Sequence, residues 1–440
     1  MKTNARSFKL GVLGAVSAGA VALAFYGCSS SSSPATTGTG DDAGTDAGGS
    51  SPQPDSGGTV TQPDSGGGTP TADSGGGSPD GGSLILQGVT ETDLFSDQSG
   101  KAPHVDPNLL NAWGLAFNPG AGIAWVSDNH AGVATLYSTA DGGAIAPLVV
   151  QVPLPDGGGG ALYPALDSGT VSAPTGQIFN ASATPDAGTT NDFMGDAFII
   201  SAEDGTISGW ASSLADRTKA KLRVDMSSSA ASFKGLQIIP STPPVLLAAD
   251  FHNGKIDAFD ANYAPVTAAA GKWTDPSIPA GYAPYNIYTD GTKVYVAYAK
   301  QDSMAGDDQP GQGFGAITTY DLTGTLVKSL VPQNANNGLN GPWGMTTVPA
   351  GGWGKLPAGA LLVGNFEGGA INAFDSTTGA ALGSLVKSDG TPLTIDGLWA
   401  LTWGPNTPGA AAIGTLPTQL FFTAGPNDEA DGLYGYLTAQ

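Results

Sequence analysis

Two short stretches of the chain share a polar pattern, Asp128-Asn129-His130 and Asp250-Phe251-His252-Asn253. An imidazole close to a carboxylate suits general-base work, because the carboxylate can orient the ring and stabilise its charged form. His130 and His252 are therefore the candidate catalytic residues; His104 is the third histidine of the chain. A second pattern offers only oxygen. Asn340-Gly341 and Asp396-Gly397 each stand just ahead of an apolar run, and Asn111 is the nearest polar residue ahead of a third such run. Amide and carboxylate oxygens of this kind suit Ca²⁺. The competing explanation is local: Asp and Asn fill tight turns by bonding to their own backbone. Which explanation holds depends on the elements that position them.

Those elements repeat. The apolar runs read "AWGLAFNP" from Ala112, "PTGQIFNA" from Pro174, "FKGLQIIP" from Phe233, "PYNIYTDG" from Pro284, "PWGMTTVP" from Pro342 and "LWALTWGP" from Leu398, at intervals of 51 to 62 residues. Self-similarity at such a period marks a propeller or a solenoid. Each run is followed by a turn, a second apolar strand such as "IAWVSD" or "VLLAAD", and an alternating third strand such as "GVATLYS" or "GAITTYD". A fourth, less regular strand such as "APLVVQVPLP" completes the unit. β-Branched and aromatic residues bounded by Gly, Pro, Asn and Asp are strand signals, and a four-stranded unit is one propeller blade. The last unit stops after its third strand, while an orphan strand, "LILQGVTETDLFS", precedes the first. Pairing the two would close a ring and leave no free edge. The fold expected is all-β: a six-bladed β-propeller over residues 84–440, closed by the N-terminal strand. Its repeated Gly lets neighbouring inner strands approach, and Trp113, Trp343, Trp399 and Trp403 are expected to pack between blades.

In this fold the loops entering the inner strands and those joining second to third strands open on one face. Sorted this way, all three histidines fall on that face with Asp128, Asn129, Asp250, Asn365 and Glu367, and with Glu203, Asp307, Asp308, Asp428 and Glu429. An acidic binding face for a ligand or protein is the expectation. The chain carries 16 basic and 38 acidic residues, so nucleic acid is a poor partner. No G-x-S-x-G elbow is present, and "GQGFG" at Gly311 lacks the strand-to-helix setting of a nucleotide loop.

The N-terminus has its own logic. Lys2, Arg6 and Lys9 precede an apolar stretch that ends at the single cysteine, Cys28. This pattern predicts an export signal over residues 1–27. Residues 28–83, rich in Ser, Gly, Asp and Pro, bury too little to fold and predict a disordered linker, with a reach of roughly 40 Å. Cys28 resembles the acylated cysteine of bacterial lipoproteins, which implies a lipid-anchored protein of the cell envelope, or a periplasmic one.

The segment "LFSDQSGKAPHVDPNLLNAWGLAFNP", with "WVSDN" after it, resembles the first blade of exported bacterial NHL-like six-bladed propellers, a family that implies a fold but no catalytic residues. Asn340 and Asp396 resemble the metal ligands of calcium-dependent lactonase and phosphotriesterase-like propellers. That resemblance implies bound Ca²⁺ and hydrolysis of small lactones or esters. In the first repeat, where those enzymes place a glutamate, this chain has Leu110, with Asn111 as the nearest substitute.

Overall fold

A computed structural model describes residues 84–139, 144–145, 148–156, 171–183, 192–267 and 271–440. The expected signal segment, Cys28 and the linker lie outside the described residues. Among those described, no helix is long and apolar enough to cross a membrane.

Strong β-formers alternating with turn residues produce short antiparallel sheets stacked face to face. The inner strands are Ala112–Asn118, Pro174–Phe179, Phe233–Ile239, Tyr282–Thr289, Pro342–Thr347 and Leu398–Trp403, at the positions expected from the repeat. Each pairs antiparallel with the strand that follows it, and that strand pairs with the third. Inner strands of successive units lie side by side, and Leu398–Trp403 packs back against Ala112–Asn118. The arrangement is that of a β-propeller, with apolar clusters filling the spaces between sheets.

The fourth strand is the variable part. It is regular at Lys221–Asp225, Leu326–Val331 and Ala381–Lys387. In the first unit two fragments, Ala144–Ile145 and Val150–Gln151, share the edge of the third strand. In the third unit it shrinks, among the described residues, to one bridge between Phe259 and Pro265. In the last unit the orphan strand takes its place: Ile85–Ser96 runs antiparallel to Leu433–Ala439. One pairing was not expected. Residues Ile85 to Val89 also run parallel to Gly383 to Lys387, so the outer edges of the last two units merge into one sheet. An outer strand that would otherwise present free N–H and C=O groups is thereby covered.

Candidate functional site

Five inner strands break register at their second and third residues, as between Ala112 and Leu115 in the first unit, and Tyr282–Thr289 breaks at a single residue, between Pro284 and Asn286. Such bulges bend a strand and re-aim a side chain. The residues so placed are Trp113, Thr175, Lys234, Tyr285, Trp343 and Trp399. Trp113 and Trp399 stack with ring centroids 3.6 Å apart, Trp343 meets both edge-on, and Phe366 stacks on Trp399 at 3.9 Å. Trp113, Trp343 and Trp399 thus form an aromatic plug within one core cluster, while Trp403 packs edge-on against Trp353 elsewhere.

A backbone hydrogen bond ties the loop ahead of each inner strand to the residue after the second strand. Asn129 donates to Asn111 (3.1 Å), Phe366 to Gly341 (2.9 Å) and Gly425 to Gly397 (2.8 Å). Asn111, Gly341 and Gly397 are therefore equivalent, and all three are left-handed, with φ of 47°, 58° and 65°. Asn111 stands where the last three units have glycine (Gly281, Gly341 and Gly397), a position Asn tolerates, and not where the last two have Asn340 and Asp396. Its Oδ1 accepts from the Trp399 indole (2.8 Å), and the Asn340 Oδ1 accepts from the Gly311 N–H (2.7 Å). Each of these amide oxygens thus already accepts one hydrogen bond, and the Asp396 Oδ2 accepts from the Asn427 N–H (3.0 Å). Among the described residues no group of three or more His, Cys, Asp or Glu is arranged to hold a metal.

The expected histidine-carboxylate pairs do not form. Asp250, at the end of its strand, accepts from the Ser232 and Asn253 N–H groups and the Asn253 amide, so it ties the loop ahead of its inner strand. Asn365 does the same for the Asn340 N–H (2.8 Å). His252 instead places Nδ1 3.2 Å from the Ala305 carbonyl. Asp128 is fully buried with no hydrogen bond to either oxygen, and burial pushes its carboxyl well up. The nearby Thr135 hydroxyl donates to Tyr137, and His130 lies half-buried in the turn beyond. A strand-end carboxylate points back toward the loop of its own sheet, whereas the residue two places on already belongs to the outer turn. Asn129 is also structural, donating to Glu203 and to the Pro174 carbonyl. Asp106 caps its loop through Asn108 and accepts from Tyr137, and His104 packs beside Phe95.

Of the expected face residues, Glu367 and Asp396 do meet. They line a pocket of about 220 Å³ with Asp307, Asp308, Phe366, Asp428 and Glu429. Lys234, which the sequence pattern did not single out, is buried beside it. Its Nζ donates to Glu203 and to Asp307, and lies 5.1 Å from the Trp113 ring. Asp308 is only 8% exposed; its Oδ1 accepts from the Tyr285 hydroxyl (2.7 Å) while its Oδ2 has no partner. Burial, and then the charge of Asp307, push its carboxyl up to about 7. Burial raises Glu367, with Asp307, Asp428 and Asp396 adding to it, and raises Glu429 well above the usual range. At the rim, Asn427, Asp428 and Glu429 are successive left-handed residues, with φ of 58°, 52° and 66°. Asn and Asp tolerate this region and Glu does so at a cost of about 1–2 kcal/mol, a strain of the kind found in functional loops. The arrangement gathers carboxyl groups around one buried cation and leaves two of their oxygens, Asp308 Oδ2 and Glu429 Oε1, without a partner.

No family model matches the chain. Over 351 residues it is 30% identical to Uncharacterized protein R648 of Acanthamoeba polyphaga mimivirus, covering 78% of each. It is 28% identical to Uncharacterized protein L690 of the same virus over 352 residues, 78% of this chain and 84% of the relative. These relatives are viral, so the bacterial source implied by the sequence resemblance is not supported. Among solved structures, a gluconolactonase from Xanthomonas campestris shares 13% identity over 76% of this chain and 88% of its own, with a TM-score of 0.42. A virginiamycin B lyase from Staphylococcus aureus shares 12% identity over 80% of this chain and 98% of its own, with a TM-score of 0.43. These are β-propeller neighbours and say nothing of activity.

Proposed function

The chain belongs to the family of the mimivirus protein R648; since its relatives are uncharacterized, we propose from its own side chains that it is a six-bladed β-propeller that binds a positively charged ligand on its acidic face. The observation that carries this reading is Asp308. Burying a carboxylate oxygen without a donor is unfavourable, and here it happens among five more carboxyl groups. A cation entering the pocket gains from all of them, and Phe366 offers a ring face to an organic ammonium.

The test is calorimetric titration with calcium and, separately, with butylammonium, on wild type and Asp308→Asn. Saturable binding of one of them, weakened at least about tenfold in the variant, is expected. Binding of neither, or binding untouched by the substitution, overturns the reading. Calcium as the ligand, released by chelator, would favour the calcium-dependent hydrolase and justify a lactone and ester screen.

The same substitution has a stability signature. The Asp308 carboxyl is raised from an ordinary 3.8 to about 7 in the folded state, so the folded chain holds the extra proton between these values. The cost of the buried carboxylate is therefore absent at low pH and fully present above about pH 7. Asp308→Asn should raise stability by about 1–3 kcal/mol above neutrality, and by progressively less as the medium is acidified, in urea melts at several pH values. A constant difference at every pH would contradict the assignment.

We also propose that residues 28–83 tether the propeller to a membrane through acylated Cys28. The full chain should incorporate labelled palmitate when expressed in a bacterium, and Cys28→Ser should abolish the label and release the protein from the membrane pellet. Equal labelling of both chains would overturn the tether.

A further inference from the structure

On the face opposite the acidic loops, the axis opens into a cavity of about 440 Å³, walled by the C-terminal halves of the inner strands. Small-molecule pockets typically span about 300–1,000 Å³. No Asp, Glu, Lys, Arg or His lines it. Its wall carries the rings of Phe117, Phe179, Tyr288 and Trp403, with Trp343 from the plug.

Two donors of this wall have no acceptor. The Trp343 Nε1 and the Gln177 Nε2 are unpartnered, in residues only 4% and 7% exposed. The Gln177 Oε1 accepts from the Ser127 hydroxyl (2.9 Å), which leaves the amide nitrogen over. Turning the amide round would leave its oxygen over instead, so one end is unpartnered in either setting. The other amides are engaged: Asn286 donates to the Trp343 carbonyl and Gln237 to the Ile238 carbonyl. Both nitrogens are sealed from the open cavity as the side chains stand; a buried N–H without an acceptor costs about 1–3 kcal/mol, and a ligand that brings acceptor oxygens, met by a turn of either side chain, recovers that cost.

An aliphatic or plain aromatic ligand would leave both donors unpaired. A charged ligand would lose its hydration with no opposite charge to meet. A neutral ring bearing several hydroxyl groups satisfies the donors and places its C–H faces on the aromatic wall. We propose that this cavity is a binding site for a neutral carbohydrate of one or two rings, held by hydrogen bonds to Gln177 and Trp343. The site is separate from the acidic pocket, because the stack of Phe366 on Trp399, with Trp343 edge-on to it, lies between them.

The test is isothermal titration of the full chain with glucose and maltose, and with gluconate and glucosamine as charged controls. Three variants accompany wild type: Gln177→Met, which removes the donor; Thr402→Trp, which fills the cavity from a half-buried wall position; and Asp308→Asn, which alters only the acidic pocket. Saturable binding of a neutral sugar is expected, with little binding of the charged controls. Gln177→Met should weaken it by about five- to tenfold, Thr402→Trp should abolish it, and Asp308→Asn should leave it unchanged. Circular dichroism establishes that each variant is folded, and if Gln177→Met is not, Thr402→Trp decides. No binding of either neutral sugar, equal binding of the charged controls, binding that survives Thr402→Trp, or binding lost with Asp308→Asn would overturn the proposal.

Discussion

Lys234→Met should destabilise the protein by about 3–5 kcal/mol, the cost of breaking a buried ion pair from one side. The ammonium is almost completely buried, paired with Glu203 and Asp307, and faces the rings of Trp113 and Phe251. Met keeps the length and the packing but leaves the carboxylates without their internal cation. The loss should depend on pH. Lys234 lowers the carboxyl groups of Asp308 and Glu429, which are already raised; without it they rise further. Groups raised in the folded state hold extra protons there, so the variant recovers stability as pH falls through their folded values and is weakest above them. Urea melts across pH, with the unfolding slope unchanged, would show this. A double variant with Glu203→Gln should recover part of the loss, because the stranded partner is then neutral. A loss below about 1 kcal/mol, as at exposed pairs, or one equal at all pH values, would mean that Lys234 does not compensate the pocket.

Gly114→Ala is the second large effect, expected at about 3 kcal/mol from overpacking. A Cβ on Gly114 would lie 2.2 Å from the Thr175 carbonyl oxygen and 2.8 Å from the Gln177 nitrogen, both backbone atoms of the adjoining inner strand. Backbone cannot swing aside as a side-chain tip can, and the strands are packed side by side around the axis, so one displaced strand displaces the next. Gly344→Ala should behave alike, since its Cβ would meet the Trp399 carbonyl at 2.5 Å. Gly306, with nothing within 4 Å, is the control, and its substitution by Ala should stay within about 0.5 kcal/mol. Similar shifts in melting temperature for Gly114→Ala and Gly306→Ala would remove close approach as the reason for the repeated glycine.

The inner strands were legible because their pattern returns in every unit, so chance matches average out and the Trp-Gly pair stands forward. The fourth strands were not. They lie on the outer edge, where packing constrains only one face, and the third unit keeps, among the described residues, a single bridge of what was expected. The site was partly legible. Sorting loops by face brought out Glu367, Asp307, Asp308, Asp428 and Glu429, but the spacing of Asp128 and His130 on the line of the chain said nothing of strand-end direction. Asn111 is hard to read for a related reason: a polar residue at a left-handed backbone position has the same letter in the sequence as one placed to bind a ligand. Lys234 carried a usable signal. It is the one cation at the second position of an inner strand, where the aligned units place Trp113, Thr175, Tyr285, Trp343 and Trp399. Gln177 carried none, since an amide in a strand reads as an ordinary polar residue until its partners are known.

The first strand of the propeller is held by two partners in turn: Ile85 to Val89 by the parallel ladder with Gly383 to Lys387, and Val89 to Ser96 by the antiparallel ladder with the last strand. A pull along that strand from residue 84 would therefore meet the two ladders in series, the parallel one first and the longer antiparallel one behind it, each loaded in shear. Drawn across the sheet instead, the same strand would part from Gly383 to Lys387 bond by bond before the last unit was disturbed. The join between the last two sheets thus stands as a first line of resistance ahead of the closure of the ring.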